Sequence, residues 1–186
     1  MMRQHTRVFG WLLAVLAMAG FTALGLWQLQ RMHAKQAMLD AQGPAVAQAL
    51  PLSEALAAPG ALHGVADHGR FLPGVVLLDN QIRHGRAAVK IYRPFRSDDG
   101  SVLLVDLGWR ALPPDRTLPE VPSPPSPVAV RGLLAPPPSA GLLLGPAFYA
   151  TGEAGRWLAS RLPDDGLARA LGLQALPDRV LRLDPA

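Results

Sequence analysis

The sequence predicts an α+β protein: an N-terminal transmembrane helix, a β-rich soluble domain formed as an antiparallel meander or a barrel-like sheet, and short helices near the C-terminus. Three observations predict it. Residues 8 to 27 carry no charge. Between residues 62 and 110, runs of β-branched and aromatic residues alternate with polar ones and are separated by turn residues. Beyond residue 150, short apolar groups at helical spacing are broken by Pro163.

The first element is VFGWLLAVLAMAGFTALGLW, from Val8 to Trp27. A helix of that length spans about 30 Å, the thickness of a bilayer's hydrocarbon core. A cleaved signal peptide is the rival reading, because Arg3 and Arg7 make a basic start and Ala17-Met18-Ala19 resembles a cleavage site. Against it, the apolar run continues through Phe21, Leu24 and Leu26 where a signal sequence turns polar. Trp11 and Trp27 sit towards opposite ends of the run, where indole rings favour the headgroup region. Local charge barely decides orientation, since Arg3 and Arg7 oppose Arg31 and Lys35. If the helix continues, Trp27, Arg31 and Lys35 fall at steps of four, with Met38 on the same stripe. That stripe is either an interfacial anchor or a docking face for another membrane protein.

The segments follow as residues 1–7 before the membrane, 8–27 within it, 28–60 as helix extension and connector, and 61–186 as the soluble domain. In the connector, Ser53 is placed to cap a short helix through Leu56 that Pro59-Gly60 stops. Strands are expected at Leu62 to Phe71, Val75 to Ile82, Arg86 to Phe95 and Ser101 to Arg110. His84-Gly85 and Asp98-Asp99-Gly100 sit where tight turns need positive φ, so the last three strands should form an antiparallel meander. In the fourth, simple alternation puts Leu103, Val105, Leu107 and Trp109 on one face and Val102, Leu104, Asp106 and Arg110 on the other. Seven prolines between Pro113 and Pro127 predict an extended crossing, for which a PxxP ligand role is a lesser alternative. Val128 to Leu134 resumes a strand and Leu142 to Leu144 adds a short one. Gly152 to Leu162 and Asp165 to Leu171 read as two short helices with Trp157, Leu158 and Leu162 towards the core, and Asp178 to Leu183 as a final edge strand.

Composition excludes several functions. The formal charge is +4, yet Arg3, Arg7, Arg31 and Lys35 all precede the first acid, Asp40, and the remaining 14 Lys and Arg face 14 Asp and Glu. The excess lies at the membrane, which argues against a nucleic-acid groove. Without cysteine there is no thiol catalysis, no CxxCH haem attachment, no thiolate zinc site and no disulfide. There is also no GxSxG elbow, no Gly-rich phosphate loop and no HExxH; the acid pairs Asp98-Asp99 and Asp164-Asp165 fall in turns. A membrane-anchored hydrolase is therefore a minor reading, and no catalytic residue or metal site is assigned. His63, His68 and His84 lie in strand or turn contexts without metal-ligand spacing.

The end of the anchor, GLWQLQRMHAK, resembles the signature of the Surfeit locus protein one family through Gly25, Trp27, Gln28, Arg31 and Lys35. The likeness continues in order: Gly69 and Phe71 match a Gly-x-Phe strand end, Pro94-Phe95 with Gly100 a Pro-Phe and hairpin pair, Gly108-Trp109 the family's Arg-Gly-Trp, and Gly132 a later strand. Leu107 stands where the family has the Arg of that triplet, so an ionic contact made there is lost or moved. The resemblance implies an assembly factor, not an enzyme, for haem-copper cytochrome oxidase. It implies a place in the bacterial inner membrane with the soluble domain on the periplasmic side, and a role in delivering haem a to subunit one beside the haem a synthesis machinery. A generic envelope scaffold binding only protein partners is the alternative. The family also implies a second, C-terminal transmembrane helix with a haem-ligating histidine; the sequence reaches Ala186 without one, pointing to a shortened product or a truncated sequence. Haem a contact, if direct, is transient, and His33, between Arg31 and Lys35 in sequence, is the weak ligand candidate, with a solvated interfacial histidine as its alternative.

Overall fold

The computed structural model describes residues 2–40, 48–60, 62–138, 145–162 and 165–183. It divides into two compact units, Met1–Gly43 and Pro44–Ala186. The expected strand at Leu142 to Leu144 lies outside the described residues, as do Pro163 and Asp164.

The first unit is one helix, α1, Met2–Asp40. No proline occurs before Pro44, and Ala, Leu and Met dominate, so nothing interrupts the backbone ladder. Within it, Val8–Ala37 is long and apolar enough to cross a membrane, with a mean hydropathy of 2.0, and its side chains are exposed. The helix therefore runs through the apolar segment and on past Trp27 without a break.

Among its described residues the second unit has eight strands: β1 His63–Phe71, β2 Val75–Arg83, β3 Arg86–Ser97, β4 Val102–Ala111, β5 Val128–Ala135, β6 Phe148–Ala150, β7 Arg156–Ala159 and β8 Val180–Leu183. Two short helices accompany them, α2 Leu52–Ala57 and α3 Asp165–Ala170. The strand order is β1-β5-β8-β4-β3-β2-β7-β6, with β1 also paired to β3. That extra pairing, Gly69↔Ser97 to Phe71↔Phe95, closes β1, β5, β8, β4 and β3 into a five-stranded barrel. Strand β3 achieves this by pairing its first half with β2 and its last residues with β1.

Every barrel strand contributes to one interior cluster: Val65, Phe95, Leu103, Val105, Val130, Leu134 and Leu181. Helix α2 plugs the cluster with Leu52 and Ala55. Closing so few strands demands strong coiling, and two glycines make room for it. A Cβ on Gly69 would lie 2.2 Å from the Arg96 carbonyl oxygen, and one on Gly132 would lie 2.0 Å from that of Arg182.

Outside the barrel, β2, β7 and β6 extend the sheet. One face carries Val76, Leu78, Tyr92, Leu104 and Val180, covered by Leu162 and by Leu167 of α3. The opposite face carries Val75, Leu77, Val89, Ile91 and Leu158, covered by Leu112, Leu118 and Val121 of the proline-rich crossing. As expected, that crossing contains neither helix nor strand.

Four expectations are corrected. Ser53 does not cap α2; Pro51 occupies the cap position, and the Asp67 carboxylate on β1 accepts the Leu52 N–H at 2.8 Å. Residues 152 to 162 form no helix: Gly152 (φ 90°) and Gly155 (φ 75°) direct a turn between β6 and β7, and β7 pairs in parallel with the β2 edge. Trp157, Leu158 and Leu162 still face the core. Strand β8 is not at an edge but between β4, to which it is parallel, and β5, to which it is antiparallel. Finally, the β3–β4 register slips between Lys90↔Trp109 and Tyr92↔Asp106, so Leu107 and Gly108 form a bulge with Gly108 at φ 94°. The extra residue flips the alternation, and Trp109 joins Asp106 and Leu104 instead of Leu103 and Val105.

Candidate functional site

The α1 stripe holds together as read from spacing. Trp27, Arg31 and Lys35 are all exposed, and the Arg31 guanidinium lies 5.7 Å from the centre of the Trp27 ring. A contact of this type contributes about 0.5–1 kcal/mol when exposed, enough to hold the indole and the cation side by side. At about 100° per residue, Gln28 sits beside Lys35 and Gly25 follows it, so all five signature residues share one half of the helix. A Cβ on Gly25 would meet nothing within 4 Å. The Met38 side chain lies outside the described ones.

His33 lies about 160–200° around the helix from both Arg31 and Lys35. It therefore does not stand between them in space, which removes the arrangement in which one haem would meet an imidazole and two cations from this helix. Among the described residues, no group of three or more His, Asp and Glu could hold a metal. His63 is half-buried with its Nε2 unpartnered, His68 is exposed, and His84 forms the β2–β3 turn at φ 49°.

The soluble signature residues gather at the barrel seam. Gly69 and Phe71 of β1 pair with the end of β3, where Phe71 and Phe95 meet edge-to-face at 5.4 Å. Pro94 pairs with Leu104 and its carbonyl accepts the Leu72 N–H at 2.8 Å, joining β3 to the β1–β2 link. Gly100 takes φ 93° in the β3–β4 turn, Gly108 makes the bulge, and Gly132 is the close approach of β5 to β8. These residues position the strands of the barrel.

A buried polar cluster, not signalled by any motif, surrounds that bulge. Lys90 and Asp106 form an ion pair with both side chains more than nine-tenths buried. The Lys90 ammonium also lies 5.0 Å from the Trp109 ring centre, and Arg83 stacks on the same ring at 5.5 Å. Asp106 Oδ1 accepts the Gly108 N–H at 3.0 Å, tying the pair to the bulge. Burial first, then the Asp106 charge, pushes the Tyr92 phenol well above its ordinary pKa, with Arg182 opposing; it stays a neutral hydroxyl. With the ion pair mutually neutralised, the cluster fixes the course of β4. The one hint in the sequence was the polar turn of an otherwise apolar strand at Asp106.

Of the paired acids, Asp98 and Asp99 lie in the β3–β4 turn. Hydrogen bonding from the Ser53 side chain first, then from the Ser101 N–H, holds the Asp99 carboxyl below the usual range.

With that geometry in place, comparison with protein families is decisive: the model of the SURF1 family matches residues 15–185, covering most of α1 and the whole barrel. The chain belongs to the SURF1 family. Among curated proteins and among solved structures, nothing matches it. SURF1 proteins are cytochrome oxidase assembly factors, and the match assigns this chain to oxidase assembly. The apolar α1 fits a membrane anchor for such a SURF1 protein.

Proposed function

We propose that this chain is held in the bacterial inner membrane by α1, with its β-barrel on the periplasmic side, and assists insertion of haem a into subunit one of a haem-copper oxidase. The carrying observation is the family match over both the anchor and the barrel. The chain works by docking. Trp27, Arg31 and Lys35 form a preassembled exposed face at the end of the apolar segment, suited to subunit one or to the haem a synthesis machinery. The balanced charge of the remaining sequence leaves nucleic acid out of this reading. Haem a contact is transient. If haem a touches this chain directly, His33 would be the side chain that offers it an imidazole, with groups from a partner completing the site.

Deleting the gene should lower the haem a absorbance of membranes in a reduced-minus-oxidised spectrum, with restoration by a plasmid copy. An unchanged spectrum overturns the haem a role and leaves a scaffold for protein partners. Replacing Arg31 and Lys35 together by Ala should weaken the association that brings oxidase subunits down with the tagged protein by about thirtyfold, if each charged contact contributes about 1 kcal/mol. The protein itself should stay in the membrane fraction, because Val8 to Trp27 is untouched. Full recovery of the oxidase would reduce the stripe to an interfacial anchor.

A further inference from the structure

The face of the sheet beneath the proline-rich crossing carries two buried arginines. Arg156 of β7 pairs with Val75 of β2, and extending the β2–β3 register one step past Val76↔Tyr92 places Arg93 on the other side of Val75. The two therefore flank one valine at about 10 Å, two strand spacings, and point to the same side. Both are more than nine-tenths buried.

Their nitrogens are only partly used. Arg156 Nη1 pairs with Glu153 at 2.6 Å and Nη2 donates to the Pro119 carbonyl. Arg93 donates through Nη2 to the Val121 and Pro122 carbonyls at 3.0 and 3.4 Å. Nε of each arginine is buried without an acceptor, and Arg93 has no carboxylate partner among the described residues. A buried guanidinium without a counter-anion is unfavourable, and its desolvation lowers the Arg93 pKa.

Both arginines line a cavity of about 810 Å³, together with Gly74, Val75, Val121 and Ala154. A volume of this order suits a small organic ligand. Glu120 and Glu153 stand at its margin, but both are exposed and Glu153 is engaged with Arg156. The unbalanced charge is thus the one at the inner wall. A planar carboxylate matches the guanidinium fork, whereas Val75, Val121 and the flanking prolines offer apolar contact.

We propose that this cavity is a binding site for a small ligand carrying a carboxylate on an apolar body, with Arg93 as its counter-ion and Arg156 as its second positive wall. The site lies on the sheet extension outside the barrel, where β2 and β7 meet the crossing, and is independent of the α1 stripe.

The test titrates the full-length protein in mild detergent with benzoate, benzamide and inorganic phosphate, followed by saturation-transfer NMR and calorimetry. Benzoate should bind saturably and benzamide should not. Arg93→Met should weaken benzoate at least about tenfold, the loss expected for one charge-assisted contact. Ser123→Trp, from an exposed position at the cavity rim, should block the site by bulk and serves if Arg93→Met fails to fold. Equal signals from benzoate and benzamide, or benzoate binding unchanged in either variant, overturn the proposal. No binding by the wild type makes Arg93 a strap for the crossing only. Phosphate binding more tightly than benzoate overturns the carboxylate assignment.

Discussion

Gly132→Ala should abolish the native barrel. The new methyl carbon would lie 2.0 Å from the Arg182 carbonyl oxygen, 2.8 Å from its carbonyl carbon and 2.9 Å from the Leu183 Cα. All three are backbone atoms of β8, and β8 is held on both sides, by β5 and by β4. No rotamer relieves the contact; the strands must separate where Gly132 pairs with Leu183. Overpacking a core ordinarily costs about 1–3 kcal/mol, and a rigid backbone neighbour places this case at or above the upper end. Against a total stability of about 5–15 kcal/mol, such a loss is severe. The full-length variant in mild detergent should be cleaved rapidly in limited proteolysis and should lose its near-ultraviolet circular dichroism. Gly20→Ala is the control, because a Cβ there meets nothing within 4 Å and alanine favours the helix. A Gly132→Ala protein that melts within a few degrees of the wild type would mean that β5 and β8 do not approach as described.

The same seam shows what could be read in advance. Strands β1 to β5 were legible from runs rich in apolar and β-branched residues separated by turn or proline segments, with φ positive where expected at His84, Gly85 and Gly100. The helix α1 was legible from its uninterrupted apolar run. The barrel's closure was not, because it depends on β3 changing partners along its length, and no single strand's pattern records a neighbour. For the same reason β8 passed for an edge: Val180 and Leu181 are buried by strands from elsewhere in the chain. Trp109 was assigned to the wrong face because a bulge at Leu107 and Gly108 shifts the period by one residue, and a glycine in a strand is the only trace it leaves. Residues 152–162 misled because Trp157, Leu158 and Leu162 suit either period at that length.

The candidate sites divide similarly. Local spacing was sufficient for Trp27, Arg31 and Lys35, since a helix converts steps of four into one face. It could not place His33, whose closeness in sequence to both cations becomes opposition on the helix. Arg93 and Arg156 come together only through β2 between them, and Lys90 meets Asp106 only across β3 and β4. Each of these charges looks like an ordinary surface residue until the sheet is assembled.

Lys90→Met should destabilise the protein by about 3–5 kcal/mol, the cost of stranding one buried partner of an ion pair. Methionine retains most of the side chain's volume and its contact with the Trp109 ring, so the loss isolates the charge. What remains is the Asp106 carboxylate, more than nine-tenths buried, with the Gly108 N–H as its other contact. Asp106→Asn should cost less than Asp106→Ala, because the amide oxygen still accepts from Gly108 and preserves the bulge. The pair itself need not be stabilising relative to apolar residues of similar size. The double variant Lys90→Met/Asp106→Leu should therefore recover most of the stability that Lys90→Met loses, with a coupling of about 2 kcal/mol or more between the sites. Urea unfolding of the full-length wild type, Lys90→Met, Asp106→Leu and the double variant in one detergent gives that coupling. Additive effects, or a Lys90→Met protein within about 1 kcal/mol of wild type, would show that water reaches Asp106 and that the bulge is held by the Gly108 conformation alone.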